Sequence, residues 1–361
     1  MPERKITGKS NLSNCKRILE MLIANSGEEP LELAISALAF FYKNDAPNKF
    51  EKLKKLVSQS SFSEYETFSE SIKKDLKRIF QNNLSKNENA NSEFLHVLFQ
   101  VLSAEFAKTE KGQFFTPSGI ANFCVESLNL VNGMSICDLA CGGGIFLHQA
   151  ANKAKELNIK CDFFGFDISE RSIKIAKSIS IINSTDFIYF EKRDSLKMLH
   201  CNKAKMQNSH DYKFDIIITN PPFAGDVGSE YYEYNYQFCN ANKISEKDIY
   251  FLELCLKKLN NKGQLVIILP DNKFSSKKFE YIREFILDNI FLKAVISLHP
   301  NTFRPFTQQK ASILFASKDI NAPKEVLFVK SESSGKLSNG KPSIQKDDFQ
   351  EISLLIKQIF K

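Results

Sequence analysis

Four residues near the middle of the chain, Asn220-Pro221-Pro222-Phe223, are of types that could together act on a planar amine. They follow Phe214 to Thr219 (FDIIIT), a β-branched run that is typical of a buried parallel strand. The two prolines must end that strand, because neither can donate to a sheet ladder. The sequence therefore predicts the Asn220 amide at the carboxyl edge of a sheet, where ligands bind in open α/β proteins.

The arrangement suits methylation of an amine on a flat ring, whose lone pair is delocalised and therefore poorly nucleophilic. The Asn220 side-chain oxygen and the Pro221 carbonyl can accept its two N–H groups and draw the nitrogen toward tetrahedral geometry. Phe223 offers a face on which the ring stacks. By itself an Asn-Pro sequence is more often only a turn that ends a strand, so this interpretation depends on the residues upstream.

A glycine loop lies upstream of this motif. Met134 to Leu139 is predicted to be a strand, and Ala140 to Gly144 a loop that opens a helix. Glycines let the backbone approach a ligand closely, and a helix N-terminus offers free N–H groups. The glycine spacing is not that of the dinucleotide fingerprint. Asp138, at the strand end, can accept from an ammonium group directly or through water.

Two more acids end the next two predicted strands. Asp167 follows a strand over 162–166 and is placed for a bidentate contact with ribose hydroxyls. Asp194 follows a strand at about 187–190 and can accept from an adenine amino group. Each acid alone would more often be a helix N-cap. Three acids at successive strand ends, the first beside a glycine loop, predict a site for S-adenosylmethionine.

With these residues the chain resembles the amino-group DNA methyltransferases, specifically the adenine-modifying subunit of type I restriction–modification systems. Gly112 to Pro117 (GQFFTP) is similar to the family segment that touches the methionine end of the cofactor. Asp138 to Leu147 (DLACGGGIFL) is similar to its cofactor loop, and Asn220 to Phe223 matches its catalytic motif. The resemblance covers about residues 92–318 and includes three further segments: Asp248 to Leu259, Gly263 to Pro270 and Ile296 to Lys318.

The resemblance implies transfer of a methyl group from S-adenosylmethionine to the 6-amino group of an adenine flipped out of double-stranded DNA, without a metal. It implies that Asn220, Pro221, Pro222 and Phe223 are the catalytic motif, and that Phe303 or Phe306 holds the other face of the base. A separate specificity subunit and a restriction subunit are the implied partners. The implied cofactor contacts are Phe115, Thr116, Asp138, Ala140, Gly142, Gly144, Asp167 and Asp194.

Two alternative functions remain open at this point. Families that methylate protein glutamine or RNA amines also use Asn-Pro-Pro-aromatic, so that motif does not discriminate between them. The GQFFTP segment and the helical N-terminal region favour DNA. A catalytically silent assembly subunit that binds the cofactor or a partner is the other alternative, because Leu139, Gly143 and Ile145 depart from the family's loop and few residues follow the last predicted strand of the sheet.

The pattern along the chain predicts an α/β protein in three parts. Residues 1–110 are expected to form an all-helical N-terminal domain with apolar stripes at helical spacing. Strands and helices alternate in residues 111–330, which predicts a Rossmann-like methyltransferase domain with a doubly wound, mostly parallel sheet. Residues 331–361 are expected to be a linker and a short C-terminal helix. The predicted N-terminal helices are Cys15 to Ala24, Pro30 to Tyr42, Lys49 to Val57, Tyr65 to Gln81 and Ser92 to Lys108.

A tyrosine-rich segment, Ala224 to Ser245, interrupts the alternation directly after the catalytic motif. Long loops beside active residues are often functional. Its aromatic residues either stack on bases or a partner, or close over the pocket as a structural lid.

Composition limits the function classes. The apolar runs are shorter than the ~20 residues of a membrane span, and the N-terminus lacks the apolar stretch of a secretory signal, so a cytoplasmic protein is expected. The net charge of +7 is spread thinly along 361 residues. We therefore expect weak DNA binding by the chain alone, and sequence choice by the separate subunit. The eight cysteines form no C-x-x-C pair and are expected to be reduced core residues.

Overall fold

The computed structural model describes residues 8–84, 88–104, 116–199, 212–223, 225–304, 307–319 and 325–359. The chain divides into two compact units. Unit 1 comprises residues 1–110 and 174–187, and unit 2 comprises residues 111–173 and 188–361. The division after residue 110 falls where the sequence suggests a boundary, but 174–187 belongs to the first unit. The predicted three-part domain division stays a prediction.

Helices make up the described N-terminal part of unit 1. Helix α2 is its centre: every residue from Pro30 to Ala39 is buried, as expected of a helix that is apolar on all sides. The buried Glu32 carboxylate accepts from Lys174 and from the Ser58 N–H and hydroxyl, which ties segment 174–187 to the helices. The six helices are α1 (Gly8–Asn25), α2 (Pro30–Tyr42), α3 (Pro47–Lys54), α4 (Gln59–Thr67), α5 (Glu70–Asn83) and α6 (Glu88–Ala104).

The predicted continuous helix from Tyr65 to Gln81 is wrong. Helix α4 ends at Thr67 and α5 begins at Glu70. The Ser69 hydroxyl accepts from the Ile72 N–H at 3.5 Å, which caps α5 and makes a new helix start there favourable. The apolar stripe runs through the break because the buried Phe68 still packs against Tyr65, so spacing alone did not reveal it.

Unit 2 is built on an eight-stranded sheet with the order β3-β2-β1-β4-β5-β7-β6-β8. Within this sheet β7 pairs antiparallel with both neighbours, and the other described pairs are parallel. This confirms the predicted methyltransferase-like fold with a doubly wound, mostly parallel sheet. The strands are β1 (Ser135–Asp138), β2 (Asp162–Asp167), β3 (Tyr189–Lys192), β4 (Phe214–Thr219), β5 (Leu259–Pro270), β6 (Phe291–Ser297), β7 (Ala311–Ser317) and β8 (Leu327–Lys330).

Helices cover the sheet, and the interior of β4 and β5 is fully buried between them. Short 3₁₀ turns occur at Ser195–Lys197, Ser229–Glu233 and Lys277–Phe279. Within the described ranges no helix has the length and apolar content needed to cross a membrane. The remaining helices are α7 (Ser118–Glu126), α8 (Ile145–Glu156), α9 (Glu170–Ile182), α10 (Gln237–Ala241), α11 (Lys247–Lys258), α12 (Asn272–Ser275), α13 (Glu280–Asn289) and α14 (Phe349–Ile359).

The segment predicted to be a linker before α14 is instead structured. After β8, which follows the strand expected to be the last, β9 (Ser334–Lys336) and β10 (Pro342–Asp347) form an antiparallel pair. The two strands hydrogen-bond to each other, and residues 344–347 of β10 are exposed, which is consistent with a polar composition that resembles that of a linker. Helix α14 stacks Phe349 on Phe123 with the ring centroids 5.4 Å apart.

Candidate functional site

The predicted polar residues lie along one edge of the unit 2 sheet, at the ends of four adjacent parallel strands. Asp194 follows β3, Asp167 ends β2, Asp138 ends β1 and Asn220 follows β4. Neighbouring strands are about 4.8 Å apart, so these four positions form one row. The strand order reverses direction between β1 and β4, which makes this the topological switch point where ligands bind in such sheets.

In the described part of the chain, the nitrogen of the Asn220 amide has a hydrogen-bond partner and its oxygen has none. Its Nδ2 donates to the Thr116 hydroxyl at 3.0 Å. Its Oδ1 is buried and has no hydrogen-bond partner in the described part of the chain. Leaving a buried acceptor unsatisfied costs about 1–3 kcal/mol, and a donor from a ligand would remove that cost. Thr116, predicted as a cofactor contact, thus lies against the Asn220 amide.

The rest of the predicted catalytic motif is buried or half-buried. Pro221 is buried, while Pro222 and Phe223 are half-buried. The buried Phe303 ring meets Phe223 edge-on, with centroids 6.0 Å apart and an interplanar angle of 81°. Two perpendicular rings in contact do not sandwich a base, so this arrangement does not show Phe303 on the other face of one, and the expectation that Phe303 or Phe306 holds that face stays a prediction. Phe303 instead supports Phe223 from the side.

The glycine loop is tied to the strand-end acid Asp167. Oδ2 of that carboxylate accepts from the Gly142 N–H at 2.9 Å, and Oδ1 accepts from the Ser169 N–H at 2.8 Å. Gly142 and Gly144 both have positive φ, +50° and +78°, which disfavours any side chain. A Cβ on Gly142 would meet no atom within 4 Å, whereas one on Gly144 would come 2.7 Å from the Phe190 ring. Gly142 therefore borders open space, and Gly144 is needed for packing.

Asp138 is a buried acid, 1% exposed, at the end of β1. Burial raises its pKa to about 7, the Asp167 charge adds to that rise, and the Ala140 N–H and Thr219 hydroxyl oppose it. The Ala140 N–H donates to Oδ1 at 3.1 Å. A positively charged ligand group beside Asp138 would favour its ionised form.

Both oxygens of Asp194 have donors within unit 2. Oδ1 accepts from the Leu196 N–H at 3.1 Å and caps the 3₁₀ turn, while Oδ2 accepts from the Tyr231 hydroxyl at 2.6 Å. Tyr231 belongs to the segment that follows the catalytic motif. The fully buried Tyr236 of that segment donates to the Leu196 carbonyl at 2.8 Å. These two tyrosines are therefore part of the fold, whereas Tyr232 remains 49% exposed.

Sequence reasoning missed two features at this edge. Asp248 at the start of α11 and Lys273 of α12, both buried, form an ion pair at 3.4 Å. Their separation along the chain gave no signal that they would meet. Ile168, next to Asp167, is 59% exposed, and an apolar residue directly after a strand-end acid could have been noticed. The predicted cofactor contact Phe115 lies outside the described residues, as does Phe306.

Residues 99–358 match the N-6 DNA methylase family. The chain is 28% identical over 221 residues to the EcoEI type I restriction enzyme methylase subunit of Escherichia coli, across 60% of this chain and 44% of that protein. It thus spans about half the length of the curated relatives it matches.

Two solved structures are similar to it. One is a putative class I S-adenosylmethionine-dependent methyltransferase from Listeria monocytogenes, with a TM-score of 0.65, 20% identity, and coverage of 98% of this chain and 100% of that one. The other is a modification subunit of a putative type I restriction enzyme from Vibrio vulnificus, with a TM-score of 0.63, 14% identity, and coverage of 95% and 87%. At these identities the similarity concerns the fold. Since the family match extends over most of its length, the chain belongs to the N-6 DNA methylase family.

Proposed function

We propose that this chain transfers a methyl group from S-adenosylmethionine to the 6-amino group of adenine in DNA, as the modification subunit of a restriction–modification system. One observation carries the proposal: the Asn220 Oδ1 is buried and unpartnered among the described residues, at the switch point of the sheet. An amine N–H is the donor that such an acceptor lacks. Membership of the N-6 DNA methylase family supports adenine in DNA as the target.

The residues at the sheet edge fit the proposed cofactor. The loop faces open space at Gly142, and the exposed Ile168 offers an apolar surface for an adenine ring. A carboxylate has about four acceptor sites. Asp167 can therefore accept from ribose hydroxyls, and Asp194 from an adenine amino group, while each keeps its contacts within the chain. When bound, S-adenosylmethionine supplies an electrophilic methyl group on a positively charged sulfur.

The catalytic motif would prepare the target amine. Asn220 Oδ1 and the Pro221 carbonyl accept its two N–H groups, which draws the nitrogen from planar toward tetrahedral geometry and reduces the delocalisation of its lone pair into the ring. Thr116 fixes the amide orientation through its contact with Nδ2, so Oδ1 faces the amine. Phe223 provides the stacking surface for an adenine that has left the duplex. Preorganised acceptors of this kind contribute more to the transition state than to binding.

We infer that the chain works in the cytoplasm together with a separate specificity subunit. For restriction, a restriction subunit joins this complex. Direct reading of bases needs an element that fits the major groove and carries several base-contacting side chains. The thin net charge of +7 supports only weak binding of DNA by this chain alone.

The test is a methyl-transfer assay with labelled S-adenosylmethionine, with the chain alone and with its specificity subunit. The substrates are DNA that lacks adenine methylation and a release factor. We expect N6-methyladenine in DNA, identified by mass spectrometry of nucleosides, at defined sites only when the specificity subunit is present. Methylated glutamine in the release factor and none in DNA would contradict the proposal, as would sequence-specific methylation by the lone chain. A chain that binds no cofactor in calorimetry would be a silent assembly subunit.

A further inference from the structure

The support of Phe223 depends on a short segment between β6 and β7. Phe303, whose ring meets Phe223 edge-on, lies in a turn that starts after Leu298. Within this turn the Thr302 N–H donates to the His299 carbonyl at 3.0 Å, and the Arg304 N–H donates to the Asn301 carbonyl at 3.1 Å. Such a turn presents backbone carbonyls that its own hydrogen bonds leave available.

Lys336, in β9, holds this turn on both sides of Phe303. Its Nζ donates to the Thr302 carbonyl at 2.9 Å and to the Arg304 carbonyl at 3.2 Å. In return the Asn301 side chain donates from Nδ2 to the Lys336 carbonyl at 3.3 Å. A lysine ammonium has three donors on one atom, so it can bridge two carbonyls that flank a single residue. Burial lowers the pKa of Lys336, as expected where its tip leaves water.

The strand pair that carries Lys336 is itself anchored at its base. The Asp348 carboxylate accepts from the Ser331 hydroxyl at 2.7 Å and from the Glu332 and Ser333 N–H groups at 2.6 and 3.3 Å. The next residue, Phe349, stacks on Phe123 of α7. These contacts anchor the pair β9–β10, and the anchored pair positions Lys336.

We propose that Lys336 is a positioning residue for methyl transfer, which holds Phe303 against Phe223 and so fixes the ring on which the target adenine stacks. The inference rests on the proposed function and adds a role for a strand pair whose composition resembles a linker. Lys336 acts through Phe303 and has no contact with the reacting atoms. Its removal should therefore affect the target base and leave the cofactor unaffected.

The experiment compares Lys336→Met with two other variants in the complex with the specificity subunit. Lys336→Arg keeps a cationic donor, and Lys341→Met removes an exposed lysine from the turn that joins β9 and β10. The measurements are amide hydrogen exchange of residues 301–304, kcat and KM for DNA, the cofactor Kd, and the fluorescence of 2-aminopurine at the target position, which reports an unstacked base. Asn301→Ala, which removes the second link to Lys336, repeats the test independently.

In Lys336→Met we expect the amide hydrogens of Thr302 and Arg304 to exchange at least about tenfold faster than in wild type, because a hydrogen bond from a charged donor is lost. We expect kcat/KM for DNA to fall by about tenfold and the 2-aminopurine signal to change, with a cofactor Kd within about twofold of wild type. Lys336→Arg should recover most of the loss, and Lys341→Met should behave as wild type.

Unchanged exchange at these amides in both Lys336→Met and Asn301→Ala would overturn the proposal that Lys336 holds the turn around Phe303. Faster exchange with unchanged kcat/KM would overturn the role in methyl transfer, and so would an equal loss in Lys341→Met. If the wild-type complex methylates no DNA, the proposed function fails and the role in transfer fails with it, whereas hydrogen exchange still decides whether Lys336 holds the turn.

Discussion

The two halves of the site edge differ in how they satisfy their own hydrogen bonds. On the cofactor side, both oxygens of Asp167 and of Asp194 accept from donors of their own chain. On the target side, Asn220 has one partner, Thr116, and its Oδ1 has none in the described ranges. The two acids therefore stabilise the loops around them and also offer acceptor sites for a ligand. The Asn220 Oδ1 stabilises no part of the described structure through a hydrogen bond.

This difference predicts different consequences of mutation. Removing an acid should disturb its loop and any ligand held there together. Removing the Asn220 side chain should leave the fold and cofactor binding intact, since its Oδ1 has no partner in the described ranges and the hydrogen bond that is lost is the single one from Nδ2 to Thr116.

The largest effect is expected for Asn220→Ala. Removing one preorganised acceptor typically lowers a rate by about 10²–10³, and here it is the main one. Single-turnover methyl transfer should fall by that factor, while the melting temperature stays near that of wild type. Near-normal methylation by a folded Asn220→Ala variant would show that the assigned chemistry is wrong.

Asp167→Ala should weaken S-adenosylmethionine binding by about tenfold or more, because a hydrogen bond to a charged group contributes roughly 1.5–3 kcal/mol. It should also lower the free energy of unfolding, since the Gly142 and Ser169 N–H groups lose their acceptor. Calorimetry and chemical denaturation measure the two effects. Asp167→Asn, which keeps one acceptor oxygen, is the matched control with smaller losses. An unchanged Kd in folded Asp167→Ala would exclude this residue from the cofactor site.

Asp138 predicts a pH effect on the stability of the ligand-free protein. Its pKa is raised to about 7, so the folded state binds the proton more tightly than the unfolded state. This stabilisation is complete below the unfolded pKa near 3.8 and is lost as the pH rises through about 7. Each unit of pKa displacement corresponds to about 1.4 kcal/mol. Asp138→Asn should therefore be more stable than wild type by at least about 1.4 kcal/mol at pH 8. Chemical denaturation at intervals from pH 5 to pH 8 measures the free energy of unfolding of both proteins. The same pH dependence of that free energy in wild type and in Asp138→Asn would refute this prediction.

The smallest effect is expected for Thr116→Val, which removes the acceptor that orients Asn220. A single uncharged hydrogen bond contributes about 0.5–1.5 kcal/mol, so the transfer rate should fall by roughly threefold to tenfold with the cofactor Kd unchanged. Thr116→Ser keeps the hydroxyl and should be close to wild type. A weakened cofactor Kd in Thr116→Val would instead support the role that the sequence motif implied for this residue.

The sequence predicted the elements that depend on local rules. The β-branched run of β4 begins at Phe214 and ends at Thr219 as expected, because two prolines must stop a strand. The positions of Asp138 and Asp167 at strand ends follow from the same alternation of strands and loops. The order of the strands in a doubly wound sheet then brings these ends into one row.

The features that sequence did not predict arise from contacts between distant segments. The bridge from Lys336 to the Thr302 and Arg304 carbonyls joins residues more than thirty positions apart, and nothing in the polar run around Lys336 marks it. The hydrogen bond from Tyr231 to Asp194 likewise depends on how a long loop returns to the sheet. In both cases one partner is a single polar side chain with no periodic pattern to identify it.

The most direct test of the contrast measures cofactor affinity and single-turnover rate for Asn220→Ala and Asp167→Ala side by side. For Asn220→Ala we expect a cofactor Kd near that of wild type and a rate lower by about 10²–10³. For Asp167→Ala we expect a Kd raised about tenfold or more, with a rate at saturating cofactor much closer to wild type. Loss of cofactor affinity in both variants, or a normal rate in Asn220→Ala, would contradict the claim that Asn220 acts in methyl transfer whereas Asp167 acts in cofactor binding.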